Sequence, residues 1–246
     1  YTYLGFNLSN EALQDVRVRQ AMSMAVDRDM IIDYVHNGEA AVSTFVAPNL
    51  GHWVWDAVNE SPLYTYDVEA ARALMEEAGY SDDNRLSLTM AAGLLDTIRD
   101  TAVVLQQQFR EIYIDVEITN LESGEYVDIW GKMDTPEAGF DMMCGQNGSG
   151  TDPNRAVSFF FSTTGNANVW GYSNERVDEL CQLAVSTTDE AEREAYYMEA
   201  QQIIIEESPN LFFASPMEYL FASSALRGYE PYAADASIFT EAYFVR

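Results

Sequence analysis

Segments with the apolar spacing of a helix and segments with the apolar spacing of a strand follow one another along this chain. This succession restricts the fold more than any other feature of the sequence. Residues 15–35 show the i, i+3, i+4, i+7 spacing of an amphipathic helix, which Asp27 can restart partway. Residues 86–90 and 114–118 alternate apolar with polar side chains as strands do, and residues 98–109 between them have helical spacing. Strands that alternate with helices predict an α/β fold with a largely covered sheet.

Capping and helix-stop residues indicate where further elements begin and end. Asp67 can cap a helix that ends at Gly79, and Asn37 with Gly38 supplies a left-handed stop after the first helical region. The other predicted elements are a strand at residues 1–7, a helix at 126–130, a strand at 140–144, helices capped by Asn174 and Thr188, and strands at 211–214 and 219–222. The glycine-rich residues 145–153 lack the lysine of a phosphate-binding loop, and no helix is predicted directly after them.

The charge of the chain argues against two classes of partner. With 40 acidic and 13 basic residues, the net charge is −27. A nucleic-acid binder needs a basic surface and is therefore not expected, and an anionic membrane would repel the chain. Lys132 is the single lysine. Two explanations stay open: adaptation to high salt, where screening shortens the range of self-repulsion, and an exported protein kept soluble by its charge.

Composition and cysteine content describe a folded chain without a disulfide framework. Hydrophobic residues make up 48% of 246 residues, which is enough for a packed core and excludes intrinsic disorder. Cys144 and Cys181 are too few for a disulfide framework or a zinc knuckle, and we expect two buried thiols. No apolar run of about 18 residues and no signal peptide is visible. Because the chain starts at Tyr1 within a strand-like run, we expect a piece of a longer protein.

The sequence offers no set of residues typical of an enzyme. His36 and His52 have no metal-binding partner at helical spacing, and neither a nucleophile elbow nor a zinc-binding helix motif accompanies them. Counting alone does not decide whether two of the 40 carboxylates form an acid/base pair. We therefore predict no catalytic residue, no metal and no cofactor.

One segment has the composition of a ligand-binding loop. It follows an apolar strand, is rich in glycine and carries neutral hydrogen-bonding side chains, which suit a polar organic ligand at the carboxyl end of a strand. Aromatic residues nearby in sequence can add stacking. The side chains predicted to bind a ligand are Gln146, Asn147, Ser149 and Thr151 of the loop and the aromatic Trp130 and Trp170.

Several short segments occur in an order that is characteristic of one family. They are Tyr3-Leu4-Gly5-Phe6-Asn7, residues 15–28, residues 66–80, Asp152-Pro153, Asn168 with residues 172–178, and residues 193–209. Each segment alone is a weak signal, but together they resemble the C-terminal half of the family 5 extracellular solute-binding proteins. These are the peptide, nickel and oligosaccharide receptors of ABC importers.

This resemblance implies a periplasmic-binding-protein-like fold in which two lobes close on a ligand. Residues 1–208 are expected to form lobe II, a mixed sheet flanked by helices, and residues 209–246 to return as hinge strands and tail toward a missing lobe I. The protein is expected to be extracytoplasmic, in the periplasm or as a lipoprotein on the cell surface, and to work as a monomer. It would capture an oligopeptide or other small polar solute for an ABC permease without altering it.

The resemblance also extends the predicted site. The family's ligand-binding strand and loop correspond to residues 140–153, which adds Cys144 and Asp152, and an aromatic residue of the site corresponds to Tyr126. Its peptide receptors carry an aspartate a few residues before the acidic-Pro pair, whereas this chain has Ser149 or Gly150 there.

That departure leaves the class of ligand open. A buried ammonium group without a counter-charge is costly, so an uncharged oligosaccharide gains support unless Asp141 or Asp152 takes the role of the aspartate. The alternative from another class is a carbohydrate-binding or carbohydrate-active surface domain, which would act without a second lobe.

Overall fold

A five-stranded sheet with helices on both faces forms the centre of the protein. The computed structural model describes residues 1–93, 95–231, 237–238 and 241–245. The α-helices are α1 (Glu11–Gln14), α2 (Val16–Met24), α3 (Arg28–His36), α4 (Ala57–Glu60), α5 (Val68–Glu77), α6 (Asp96–Arg110), α7 (Ser123–Trp130), α8 (Pro153–Phe161), α9 (Glu175–Ser186) and α10 (Glu190–Glu207). Short 3-10 helices lie at Pro48–Trp53, Pro62–Tyr64 and Pro136–Ala138.

The strands form one large sheet and three two-stranded pairs. They are β1 (Thr2–Phe6), β2 (Ala40–Val42), β3 (Leu86–Ala92), β4 (Ile114–Asn120), β5 (Met142–Gln146), β6 (Asn210–Phe212), β7 (Ala214–Pro216), β8 (Leu226–Arg227), β9 (Glu230–Pro231), β10 (Ser237–Ile238) and β11 (Tyr243–Phe244). The large sheet has the order β4-β3-β5-β1-β6. β3 runs parallel to β4 and β5, whereas β1 runs antiparallel to β5 and β6. The predicted α/β fold with a mixed sheet flanked by helices is therefore confirmed.

Side chains of the sheet alternate between two apolar cores, one on each face. Tyr3 and Met143 belong to the first core, whereas Leu4 and Cys144 belong to the second. Helices α8, α9 and α10 cover the first face, and α2, α3, α5 and α6 cover the second. Because both faces are covered, the ends of the strands are where the sheet can meet a ligand.

Most of the predicted helix ends are confirmed. The side chain of Asp27 accepts a hydrogen bond from the Met30 N–H, so the first helical region is divided into α2 and α3. Asp67 caps α5 and Asn174 caps α9 in the same way. Asn37 adopts a left-handed conformation with φ 53° and ends α3.

Three predicted boundaries were wrong. A helix, α8, does follow the glycine-rich segment, and it begins at Pro153, which suits the first turn because no N–H is needed there. α10 is capped by Asp189 rather than Thr188. β5 begins two residues later than predicted and continues to Gln146, because its pairing with β1 extends to Thr2 opposite Gln146.

The C-terminal region differs from the prediction as well. Residues 219–222 are exposed and form no strand, while β6 and β7 lie on either side of Phe213. The return of residues 209–246 toward another lobe stays a prediction, and residues 232–236, 239–240 and 246 lie outside the described part of the chain. Among the described residues, no helix has the length and apolar character needed to cross a membrane.

Candidate ligand-binding site

The carboxyl ends of the parallel strands β3 and β5 meet at one edge of the sheet. Their pairing ends at Ala92 opposite Cys144. The N–H of Leu121, which follows β4, donates to the Ala92 carbonyl at 3.1 Å, so α7 begins beside the ends of these strands. Ligands of open α/β sheets bind at this edge, which makes it the candidate site.

Tyr126 of α7 lies across two glycines at this edge. A Cβ on Gly93 would come within 3.0 Å of the Tyr126 ring, and a Cβ on Gly145 would overlap the Tyr126 hydroxyl. The absence of side chains at these two positions lets the ring pack on the strand ends. Tyr126 is half-buried, so part of the ring stays open to a ligand.

The aromatic side chains at this edge are packed together and uncharged. The Tyr126 hydroxyl donates to the Cys144 carbonyl at 3.5 Å, and the Tyr3 and Tyr126 hydroxyls both lie within 3 Å of the position that a Cβ on Gly145 would take. Burial raises the pKa of Tyr126 to about 12 and also raises the pKa of Tyr3. Tyr126 and Trp130 therefore offer a ligand neutral ring surface.

β5 extends two residues past its pairing with β3 and ends at Gln146. Asn147 and Tyr1 exchange two backbone hydrogen bonds, of 2.9 and 2.8 Å, so the odd-numbered residues of β5 direct their backbone groups toward β1. Because the direction alternates along a strand, the N–H and C=O of Gln146 point to the side of β3. Among the described residues, no strand lies opposite Gln146 on that side.

Ser149 holds the loop after β5 in place. Its hydroxyl donates to the Phe45 carbonyl at 2.8 Å and accepts from the Ala47 N–H at 3.0 Å. Ser149 is only 5% exposed, so it anchors the loop to the protein interior. Gln146 and Thr151 are exposed and Asn147 is half-buried, which leaves the side chains of these three residues as the ones that a ligand can reach.

Asp152 caps α8 and forms an ion pair. Its carboxylate accepts hydrogen bonds from the Asn154 N–H at 2.9 Å and from the Arg193 guanidinium at 2.7 Å. Burial raises the pKa of Asp152, but these two hydrogen bonds outweigh burial, and the pKa lies below its ordinary value. Asp152 is thus a charged residue whose charge Arg193 neutralises.

Asp141, the other carboxylate considered for a ligand ammonium group, lies just before β5, at the opposite end of the strand from the loop. It accepts hydrogen bonds from the N–H and hydroxyl of Thr89, at 2.7 and 2.8 Å, and from Asn10 at 2.6 Å. Its role is therefore to link neighbouring segments. Within the described part of the chain, no three His, Cys, Asp or Glu side chains are grouped as metal ligands.

A groove of about 1060 Å³ lies beside the loop that follows β5. One wall is residues 148–152, and the other includes β7 and the segment 47–49, with Tyr1 and Arg155 also in the lining. The groove therefore lies beyond the loop, on the side of β1 and β7, and its lining includes neither Gln146 nor Tyr126.

The structure separates two predicted site residues from the rest. Cys144 is fully buried in the second core, and burial raises the pKa of its thiol to about 12. Trp170 is 1% exposed in the first core, where it lies on Gly5 because a Cβ there would overlap the indole ring. The sheet edge therefore gathers Tyr126, Trp130 and the loop, without Cys144 or Trp170.

Sequence reasoning missed Tyr3, Gly93 and Arg155. Tyr3 is distant in sequence from the loop, and the register of β1 against β5 places it beside Gly145. A signal for Gly93 was available, since Gly93 and Gly145 both follow apolar strand residues. Arg155 gave no signal because α8 itself was not predicted.

Comparison with known proteins shows the family and the fold. The model of the bacterial extracellular solute-binding proteins, family 5 Middle, matches residues 1–168. The oligopeptide-binding protein AppA of Bacillus subtilis is 29% identical over 243 residues, which is 94% of this chain and 44% of that protein. The dipeptide-binding protein of Escherichia coli is 27% identical and matches 92% of this chain and 42% of its own length.

Solved structures of two such proteins have the same fold as this chain. The structure of Bacillus subtilis AppA in complex with a nonapeptide superposes with a TM-score of 0.81 at 25% identity, covering 100% of this chain and 51% of that one. The Escherichia coli murein tripeptide binding protein MppA shares the fold with a TM-score of 0.84 at 21% identity, covering 100% of this chain and 48% of that one.

The chain thus spans less than half the length of these curated relatives. The matched segment, residues 1–168, is more than half of the 246 residues and contains the sheet edge with Tyr126 and Gln146. The chain belongs to the bacterial extracellular solute-binding proteins of family 5.

Proposed function

We propose that this chain is lobe II of an ABC importer's solute-binding protein and that it holds an extended peptide along the end of β5 without altering it. The observation that carries the proposal is the open strand edge at Gln146, whose N–H and C=O point away from β1. An extended peptide can add to such an edge by main-chain hydrogen bonds, which do not depend on the peptide's side chains.

The surroundings of this edge suit a peptide. Tyr126 and Trp130 supply ring surface beside it, while Gln146, Asn147 and Thr151 supply neutral hydrogen-bonding side chains. Stacking and hydrogen bonding of this kind fix the orientation of a polar ligand. Gly93 and Gly145 keep side chains away from the strand ends that the peptide would approach.

A peptide is favoured over the carbohydrate alternative. A sugar polymer has no repeating amide groups to pair with a strand edge, and the relatives described above are named as oligopeptide- and dipeptide-binding proteins. The missing aspartate of the loop does not weaken main-chain pairing, which needs no counter-charge. It bears instead on how the ligand's ammonium group is held.

The proposal extends to the whole protein. Lobe I would lie on the part not contained in this chain and would close over the peptide, and the receptor would act as an extracytoplasmic monomer, periplasmic or tethered as a lipoprotein, that delivers the peptide to an ABC permease. The exposed apolar side chains of Met217, Leu220 and Phe221 support a partner surface beyond β7. A single lobe makes only part of the contacts, so we expect millimolar affinity from this chain alone.

The test is an NMR titration of the 246-residue chain with trialanine, and with maltotriose as the carbohydrate probe. We expect trialanine to shift the backbone amide of Gln146 and the ring signals of Tyr126, with little effect from maltotriose. Gln146→Pro removes the N–H at the open edge, whereas Gln146→Ala keeps it. Because the backbone of Gln146 does not bond to β1, both variants should fold.

The outcome that supports the proposal is loss of the trialanine shifts in Gln146→Pro together with their retention in Gln146→Ala. Binding of maltotriose in preference to trialanine, or equal trialanine binding by the two variants, contradicts it. Appearance of alanine or dialanine during the titration would show turnover and would contradict a purely binding role.

A further inference from the structure

Arg155 borders the groove as an exposed cation without an acidic partner. It lies in the first turn of α8, and it lines the groove together with the loop residues 148–152. Across the described residues, its guanidinium lies within ion-pair distance of no carboxylate and donates no hydrogen bond. Its charge is therefore available to a molecule that enters the groove.

The lack of a partner does not come from a shortage of acids. The chain has 40 acidic and 13 basic residues, and two other cations near the same helices are paired. Arg193 pairs with Asp152 at 2.7 Å and Arg176 pairs with Glu199 at 2.7 Å. A cation that stays unpaired in so acidic a protein, and that also borders a groove of about 1060 Å³, indicates a site for an anion from outside the chain.

Two contacts hold the Arg155 side chain in place. Its guanidinium carbon lies 5.2 Å from the centre of the Phe159 ring, one helical turn along α8. Its aliphatic part packs on the loop at Gly150, where an added Cβ would lie 2.5 Å from the Arg155 Cδ. Gly150 has φ +74°, a conformation that favours glycine. The charge is thus positioned before a ligand arrives.

The carboxylate that is nearest to Arg155 along the chain does not repel an anion from this site. Asp152, three residues earlier, is the acidic residue of the loop, and its charge is balanced by Arg193. Arg155 also lies in the first turn of α8, where the helix dipole favours negative charge. Glu218, which follows β7, also lines the groove. Its negative charge would repel an anion, so we expect an anion in the groove to lie beside Arg155.

We propose that Arg155 is the anion-binding residue of the groove and that it binds a carboxylate of the ligand. This inference rests on the proposed function, since the ligand is taken to be a peptide that pairs with β5. A peptide brings a carboxylate either at its C-terminus or on an acidic side chain, and a planar guanidinium binds both with paired hydrogen bonds. Arg155 thus makes the receptor selective for peptides that carry a carboxylate at this position.

The test compares three probes in NMR titrations of the 246-residue chain. Ala-Ala-Ala carries a terminal carboxylate, its C-terminal amide carries none, and Ala-Glu-Ala amide carries a side-chain carboxylate. We expect at least one of the two acidic probes to shift the Nε–Hε signal of Arg155 and to bind roughly fivefold tighter than the neutral amide, a size typical of a solvent-accessible ion pair. The acidic probe that binds better identifies the source of the carboxylate.

Two variants provide the matched comparison. Arg155→Gln removes the proposed site, and Arg110→Gln removes another exposed cation, at the end of α6 and outside the groove. Both lose one positive charge, so a general electrostatic effect on anionic probes is the same in each. The preference for the acidic probe should disappear in Arg155→Gln and persist in Arg110→Gln.

Each result decides the question. Equal binding of acidic and neutral probes by the parent chain, or an unchanged preference in Arg155→Gln, overturns the role of Arg155 while leaving peptide binding intact. Failure of every probe to shift Gln146 in the parent chain overturns the proposed function and this inference with it.

Discussion

A Cβ on Gly145 would occupy the space that the Tyr126 hydroxyl fills. The position of the Tyr126 ring therefore depends on the absence of a side chain at the end of β5, and a larger residue at Gly145 would displace the ring. The same holds for Tyr3, since a Cβ on Gly145 would also come within 2.9 Å of the Tyr3 hydroxyl.

We expect Gly145→Ala to lower the free energy of unfolding by about 1–3 kcal/mol, the usual cost of overpacking, and to weaken trialanine binding by moving Tyr126. Gly124→Ala in α7 is the control, because no atom lies within 4 Å of its added Cβ. That variant should be neutral or more stable by up to about 1 kcal/mol. Urea denaturation measures both, and equal unfolding energies would contradict the described packing.

Ser149→Ala should destabilise the loop after β5. The change leaves the Ala47 N–H and the Phe45 carbonyl without the hydroxyl that they now share, and both groups are buried. We expect a loss of about 1–3 kcal/mol in the free energy of unfolding and faster hydrogen exchange at the Ala47 amide. Thr151→Ala, at an exposed position, should stay within about 0.5 kcal/mol of the parent. Unchanged exchange at Ala47 would argue against the role of Ser149.

The ion pair of Asp152 with Arg193 predicts a pH-dependent contribution to stability. Because the pKa of Asp152 is lower in the folded chain than its ordinary value of 3.8, the pair stabilises the fold above that value. Its contribution is lost as pH falls through the folded-state pKa. Asp152→Asn keeps a capping side chain but removes the ion pair, so we expect it to cost roughly 0.2–1 kcal/mol at neutral pH and nothing in strong acid.

The control for this pH series is Asp67→Asn, which changes a helix cap that forms no ion pair among the described residues. Both variants remove one negative charge, so general repulsion is matched. Urea denaturation from neutral to acidic pH gives the two differences from the parent. If the cost of Asp152→Asn does not shrink toward low pH, the ion pair is not its source.

Cys144 and Cys181 should behave as two free, unreactive thiols. They lie in the cores on opposite faces of the sheet, so the folded chain cannot join them. Burial raises the pKa of Cys144 to about 12 and raises that of Cys181 as well, which keeps both protonated. A thiol reagent should react slowly with the native protein and count two thiols in denaturant without reductant. A count of zero in denaturant would indicate a disulfide.

The net charge of −27 predicts that salt stabilises the protein. Screening weakens the repulsion among the carboxylates, while the exposed ion pairs that it also weakens contribute little. We therefore expect the thermal midpoint to rise between low and molar KCl in calorimetry. A midpoint that stays constant or falls would support the other explanation, an acidic exported protein without salt adaptation.

Local sequence signals determined most of the fold. Asp27, Asp67 and Asn174 marked helix starts because their side chains bond to the N–H groups of the first helical turn. The alternation of apolar residues gave β3, α6 and β4 with nearly correct bounds. The helix α8 escaped prediction because its short apolar pattern follows a glycine-rich segment, and Pro153 was read as a loop residue.

Sequence patterns predicted only part of the candidate site. The loop and Tyr126 were named from composition and from the resemblance to a family. Cys144 was expected to be buried and was nevertheless included in the site, and the burial of Ser149 and Trp170 was not foreseen. Whether a side chain faces a core or a groove depends on strand register and on what packs against it. These are relations between residues far apart in sequence.

Composition, periodicity and capping were enough to predict an acidic α/β chain and the segment that follows its last parallel strand, because each of these signals acts over a few neighbouring residues. The folded chain was needed to show that β5 ends in an open edge at Gln146, that Tyr3 lies beside Tyr126, and that Arg155 borders the groove unpaired. Strand order and register bring these groups together. They follow from the burial of the whole sheet rather than from any local pattern.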